Sequence, residues 1–194
     1  MKTAFFDIDT QIDFLFPAGS LYVPGAEALI PALHRLNRYA AAHGIPLVSS
    51  VCAHSEDDPE FKTWPAHCVT GTIGQLKPAA TLLEKRSVIG VAAGDYPTDG
   101  SQQILFEKNR LNITNSPNFR PIVTRLAADR YVVYGVVTEY CVRFAALALL
   151  ETGKPVSLVT DAIQTLNADA SARTVREFAD RGGQLTKVAE VCGV

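Results

Sequence analysis

YVVYGVVTEYCVRFAALALLETG, residues Tyr131–Gly153, is the stretch that decides the fold. Its first seven residues, Tyr131–Val137, are β-branched or aromatic apart from one glycine, which reads as a buried strand. Thr138, Glu139 and Tyr140 interrupt the apolar run. An Ala/Leu-rich segment follows from Cys141 and is closed by Gly153, which reads as a helix with a glycine stop. Cys141 therefore falls where a strand gives way to a helix. Free backbone N–H groups and the helix dipole at such a junction favour a thiolate. In an open α/β sheet the same edge is where ligands bind. Nucleophile, anion-stabilising amides and a crevice are expected at one point.

Outward from this stretch, strand and helix patterns alternate to both ends. Lys2–Ile8 and Pro46–Val51 read as strands. Between them Leu29, Ile30, Leu33, Leu36 and Tyr39 recur at helical spacing, so Ala26–His43 reads as a helix stopped by Gly44. Arg86–Val91 and Ile104–Glu107 read as short strands, and Phe119–Ala128 as a helix. Beyond Gly153 come a strand over Pro155–Thr160, a helix from Ala168 to Arg181 and a strand over Gln184–Val188. This alternation predicts an α/β fold: a three-layer α/β/α sandwich around a mainly parallel, six-stranded sheet, in one domain spanning 1–194. Cys52–Gln75 has no clear period and is rich in His, Asp, Pro and Gly. A long irregular stretch after a strand usually carries function. Ala93–Ser101 reads as a surface loop.

Composition narrows the function. The 194 residues are 47% hydrophobic and 20% charged, with a formal net charge of −2. That balance predicts a globular protein with a sizeable core and gives no electrostatic case for binding nucleic acid or a membrane. No apolar stretch approaches a membrane span. The N-terminal MKTAFFDIDTQ has acids within its apolar run and no cleavage-type site, so a cytoplasmic protein is expected. The four cysteines, Cys52, Cys68, Cys141 and Cys192, form no CxxC pair, and no disulfide framework is expected. Cys68 and Cys192 read as small buried hydrophobes. Neither GxGxxG after the first strand nor GxxxxGK[ST] occurs, which argues against a nucleotide site.

Three reactive residues sit just past predicted strands: Asp9, Lys108 and Cys141. Parallel strands present their carboxyl ends on one edge, so these residues can converge. Alone, such an Asp is more often a turn residue and such a Lys a solvated charge. Together they are coherent. A carboxylate whose pKa is raised by desolvation can take the thiol proton, and an ammonium can stabilise the thiolate.

The sequence here resembles the isochorismatase-like cysteine hydrolases, and within them the nicotinamidase-type amidohydrolases. The resemblance lies in DTQIDF (Asp9–Phe14) with PAGSLYVPGA (Pro17–Ala26), WPAHCVTGTIGQ (Trp64–Gln75), EKN (Glu107–Asn109) with TNSPNF (Thr114–Phe119), and GVVTEYCV (Gly135–Val142) leading to TDA (Thr160–Ala162). These blocks occur in the family's order and span most of the chain. The resemblance implies strand order 3-2-1-4-5-6 and a catalytic triad of Asp9, Lys108 and Cys141. Asp9 would act as general base, and Cys141 would attack a carboxamide to leave a thioester. An oxyanion hole of backbone N–H groups would fall at Val137 and Cys141, with a cis peptide at Val136–Val137. Phe14, Trp64 and Tyr140 match positions that line the substrate pocket, where aromatic walls would sandwich a flat ring. A small-molecule amide, nicotinamide first, is the implied substrate, and a homo-oligomer the implied assembly.

The resemblance also implies a divalent metal. His54 and His67 match the two ligand histidines, and Glu60 a position occupied by Glu or His. Where the family has Asp, this chain has Cys52. Either Cys52 itself ligates, since Cys, His, Glu and His suit Zn2+, or the site is lost and the histidines only hydrogen-bond. Glu56, Asp57 and Asp58 read as a solvated turn. Two alternatives stand beside the amidase reading: another reaction of the superfamily (ureidoacrylate or N-carbamoyl amide hydrolysis, or isochorismate cleavage), and a non-catalytic ligand-binding protein on the same scaffold.

Overall fold

The computed structural model describes residues 1–193. Seven strands form one sheet: β1 (Thr3–Ile8), β2 (Leu47–Cys52), β3 (Arg86–Ile89), β4 (Gln103–Lys108), β5 (Arg130–Val136), β6 (Val156–Gln164) and β7 (Gln184–Thr186). Their spatial order is β3-β4-β2-β1-β5-β6-β7, and all six neighbouring pairs are parallel. The six strands other than β3 follow the implied order 3-2-1-4-5-6. The additional strand, β3, is a four-residue edge strand that adds outside β4.

Both faces of the sheet are covered, because side chains alternate along each strand. Phe5, Leu47, Val132 and Tyr134 face one layer, where Leu33, Leu36 and Ala40 of α2 (Ile30–Ala42, after the short helix α1, Ile12–Leu15) pack on them. Phe6, Ile8, Val48, Tyr131 and Val133 face the other. There they meet Phe119, Ile122 and Leu126 of α3 (Phe119–Leu126), Ala145, Ala146 and Leu149 of α4 (Arg143–Leu150), and Phe178 of α5 (Ala168–Asp180). A short final helix, α6 (Val188–Cys192), closes the first layer through Val188.

Two boundaries differ most from expectation. The helix expected from Ala26 begins as a 3-10 turn, Ala26–Leu29, and becomes α-helical at Ile30, where Pro31 falls in the first turn and no backbone N–H is needed. The strand expected to end at Thr160 continues to Gln164, with its pairing to β5 shifted between Val133 and Gly135. The register sets the chemistry. Cys52 and Lys108 are direct partners at the carboxyl ends of β2 and β4, Asp9 follows Ile8 on β1, and Val137 follows β5. No described helix is long and apolar enough to cross a membrane.

Candidate active site

Asp9, Lys108 and Cys141 meet at this edge, all three buried. Lys108 Nζ lies 2.8 Å from Asp9 Oδ2, 3.2 Å from Cys52 Sγ and 3.7 Å from Cys141 Sγ, so each ammonium hydrogen has an acceptor. The other oxygen of Asp9 accepts a hydrogen bond from Ser50 Oγ at 2.6 Å. Asp9 reaches this position from a left-handed backbone conformation, φ 50°, a region in which Asp is better tolerated than most residues.

The electrostatics follow from these contacts. Burial works against the Asp9 carboxylate, but the Lys108 ammonium and hydrogen bonds from Lys108 and Ser50 outweigh it and hold the carboxyl below its ordinary 3.8. Burial likewise opposes the charge on Lys108, yet the Asp9 carboxylate and the two sulfurs leave its pKa well above the usual value. Burial pushes the Cys141 thiol well up. Lys108 opposes this, while the Asp9 charge adds to it. The resting cluster is thus a carboxylate, an ammonium and a neutral thiol. This inverts the sequence-based expectation of a raised carboxyl and a favoured thiolate. The cation is shared and closest to the carboxylate, and Cys141 sits inside a π-turn, Thr138–Val142, ahead of α4. The Val136–Val137 peptide bond is cis.

Above the cluster lies a narrow cavity of about 30 Å³ lined by Phe14, Trp64, Tyr140, Leu111, Leu166 and Cys141, with Cys52, Glu60, His67 and Lys108 also reaching it. All three aromatic residues expected at the pocket are therefore in it. Trp64 and Tyr140 meet edge to face, 5.3 Å between centroids. Phe14 packs against the His67 ring at the same distance.

Of the four expected metal ligands, Cys52, His54 and His67 come together. Their ligand atoms lie within 4.8 Å of one another, and all three residues are buried. Glu60 falls outside that set, although it lines the same cavity. The donor chemistry fits a metal. His54 is fully buried and neither ring nitrogen makes a hydrogen bond. Its Nδ1 is 3.1 Å from Asp58 Oδ2, close but not aligned for one. His67 Nδ1 is 2.8 Å from the Pro65 carbonyl, which orients the ring and leaves Nε2 free. Burial, with His54 nearby, lowers the His67 pKa and keeps the imidazole neutral, as a ligand requires. The Cys52 thiol, pushed up to about 12 chiefly by burial, would lose its proton only to a bound cation. Asp58 is not the solvated residue expected. It is buried beside His54, and its Oδ1 accepts from the Glu60 N–H. Glu56 and Asp57 are exposed, as expected.

Sequence reasoning missed the residues that hold this site. Gln11 clamps the Cys52 backbone from both sides: its Oε1 accepts from Cys52 N at 2.7 Å, and its Nε2 donates to Cys52 O at 2.8 Å. Asp13 accepts from Cys68 N at 2.6 Å and from Ser20 N at 3.0 Å, tying both segments to α1, which carries Phe14. Glu139 accepts from Leu166 N, Asn167 N and Thr165 Oγ1, which seats Leu166 at the cavity. A signal was available. Polar residues crowd DIDTQID and interrupt the apolar strand PLVSSV, and polar groups in buried strands need partners.

Comparison with known proteins agrees with this geometry. Residues 94–190 match the family described as the Isochorismatase domain. The nicotinamidase of Escherichia coli (strain K12) is 26% identical, covering 94% of this chain and 93% of its own. The structure of the pyrazinamidase of Pyrococcus horikoshii in complex with zinc superposes with a TM-score of 0.77 at 26% identity, covering 96% and 99% of the two chains. The nicotinamidase of Bacillus subtilis, at 20% identity, shares the fold with a TM-score of 0.81 over 96% and 100% of the chains.

Proposed function

Because this chain belongs to the isochorismatase family, we propose that it is a cysteine amidohydrolase acting on a small, flat carboxamide, with nicotinamide, giving nicotinate and ammonia, as the best single substrate. The observation that carries this reading is the meeting of Asp9 with Lys108 and Cys141, the latter two lining an aromatic cavity. The relatives matched over nearly the whole chain are nicotinamidases, which supports an amide C–N bond as the target.

The residues divide the work as follows. Asp9, already ionised, takes the Cys141 proton as sulfur attacks the amide carbon. Lys108 holds that carboxylate and offsets the charge passing to sulfur. The developing oxyanion is received by the backbone N–H groups of Val137 and Cys141, a device in which one donor is typically worth about 100- to 1000-fold in rate. The proton on Asp9 goes to the leaving nitrogen as the C–N bond breaks and ammonia departs. A thioester remains on Cys141. Asp9 then deprotonates water, which cleaves the thioester and restores the thiol. Phe14, Trp64 and Tyr140 hold the ring flat against the attacking sulfur. Among the residues lining the cavity only Lys108 is a fixed cation, and Asp9 neutralises it. This favours an uncharged amide over a carboxylate-bearing substrate.

Cys52, His54 and His67 would hold a divalent metal, with zinc favoured by the thiolate, and Glu60 in the same cavity. Bound there, the ion would supply a Lewis-acidic point for a ring heteroatom. The direct test is ammonia release from nicotinamide and a panel of amides. Release by the parent protein, with loss of at least about a thousandfold in Cys141→Ala, is the expected result. No release from any amide, with the variant indistinguishable, defeats the reading.

A further inference from the structure

Beneath the Asp9–Lys108 pair lies a second buried ion pair that the chemistry above does not use. Asp7 is fully buried inside β1, and Lys77 is buried 2.9 Å from it. Thr10 joins them. Its Oγ1 donates to Asp7 Oδ1 at 2.7 Å and accepts from Lys77 Nζ, whose ammonium also lies 3.5 Å from the Thr10 carbonyl. Asn37 Nδ2 and Ser49 Oγ, each at 3.2 Å, complete the shell around Asp7. An ion pair this deep gains little net stability over apolar packing, so its placement invites another account. It grips the residue next to Asp9, where the backbone departs from the strand with φ 50°. The segment carrying Lys77 is stitched to the same turn by Gln11 Nε2 to Gln75 O and Ile12 N to Leu76 O, both 2.8 Å.

We propose that Asp7, Thr10 and Lys77 are positioning residues for Asp9: they lock the turn that aims its carboxylate at Cys141 and Lys108. None of the three lines the cavity, so their loss leaves substrate binding intact and misdirects the proton acceptor. This inference rests on the amidase reading, and its test separates the two. Thr10→Val keeps the shape and removes the hydroxyl, and Thr10→Ser restores it. With nicotinamide, Thr10→Val is expected to lose on the order of 10- to 100-fold in kcat, with KM within about twofold of the parent. Thr10→Ser should recover most of kcat, with far-UV circular dichroism unchanged in both. A Thr10→Val protein with parental kcat, or one in which Thr10→Ser fails to recover kcat, overturns the proposal. If Thr10→Val does not fold, Asp7→Asn is judged by the same kcat and KM criteria, with parental kcat again overturning it. A parent inactive on every amide sinks the amidase reading itself, whereas an active parent with an unaffected Thr10→Val sinks only this inference.

Discussion

Lys108 governs the chemistry at the scale of single residues. It is the one cation among two sulfurs and a carboxylate, and the carboxylate is closest. The sign of the pH dependence follows. Asp9 is a base only when ionised, and its pKa is held below 3.8. Activity should therefore stay flat as pH falls from 7 to about 5. An acid limb centred near pH 6 to 7 in kcat/KM would contradict this ordering. The same depressed pKa links to stability: the Asp9 contribution is present above the unfolded value and is lost as pH falls through the lower folded one. Cys52 carries a separate prediction. Protein purified with zinc present and then desalted should keep about one zinc per chain by elemental analysis, and Cys52→Ala should lose most of it. A zinc-free parent would assign the buried histidines to the loop alone. Cys52 is also where sequence is least decisive, since a small buried cysteine and a ligand look alike. Only the approach of His54 and His67 distinguishes them.

Among the elements, the junction of β1 with β5 carries the tightest constraint. Gly135 pairs with Ile8 at φ 121°, and a Cβ there would stand 2.2 Å from the Ile8 carbonyl oxygen. Asp9 leaves β1 one residue later, and Val137 leaves β5 two residues later. Gly135→Ala should therefore cost at least about 2 kcal/mol in denaturant unfolding and lower kcat with it. A variant of parental stability would show that the strands can part without consequence. Strand and helix identities were legible, because apolar runs such as YVVYGVV can be satisfied only by a doubly covered sheet. Even the edge strand β3 falls within the expected Arg86–Val91, but the 3-10 entry to α2 and the extension of β6 to Gln164 were not legible. They depend on Pro31 and on the shifted register beside β5. Neither of these leaves a periodic trace in sequence.

At the scale of the whole molecule, parallel pairing is what turns distant residues into a site. Positions 9, 52, 108 and 141 lie on different strands or the turns after them, and one sheet edge collects them. That convergence could be read from strand ends alone. The charge states could not, because they depend on which partner the Lys108 ammonium approaches most closely. Nor could the layer below, where Asp7 and Lys77 meet across 70 residues of sequence. The proposed thioester can be trapped by acid quenching during turnover of nicotinamide, followed by peptide mass spectrometry. An adduct with the mass of substrate less ammonia is expected on the peptide bearing Cys141, and none in Cys141→Ala. Steady turnover with no adduct on that peptide, or with the adduct on Cys52, would contradict it.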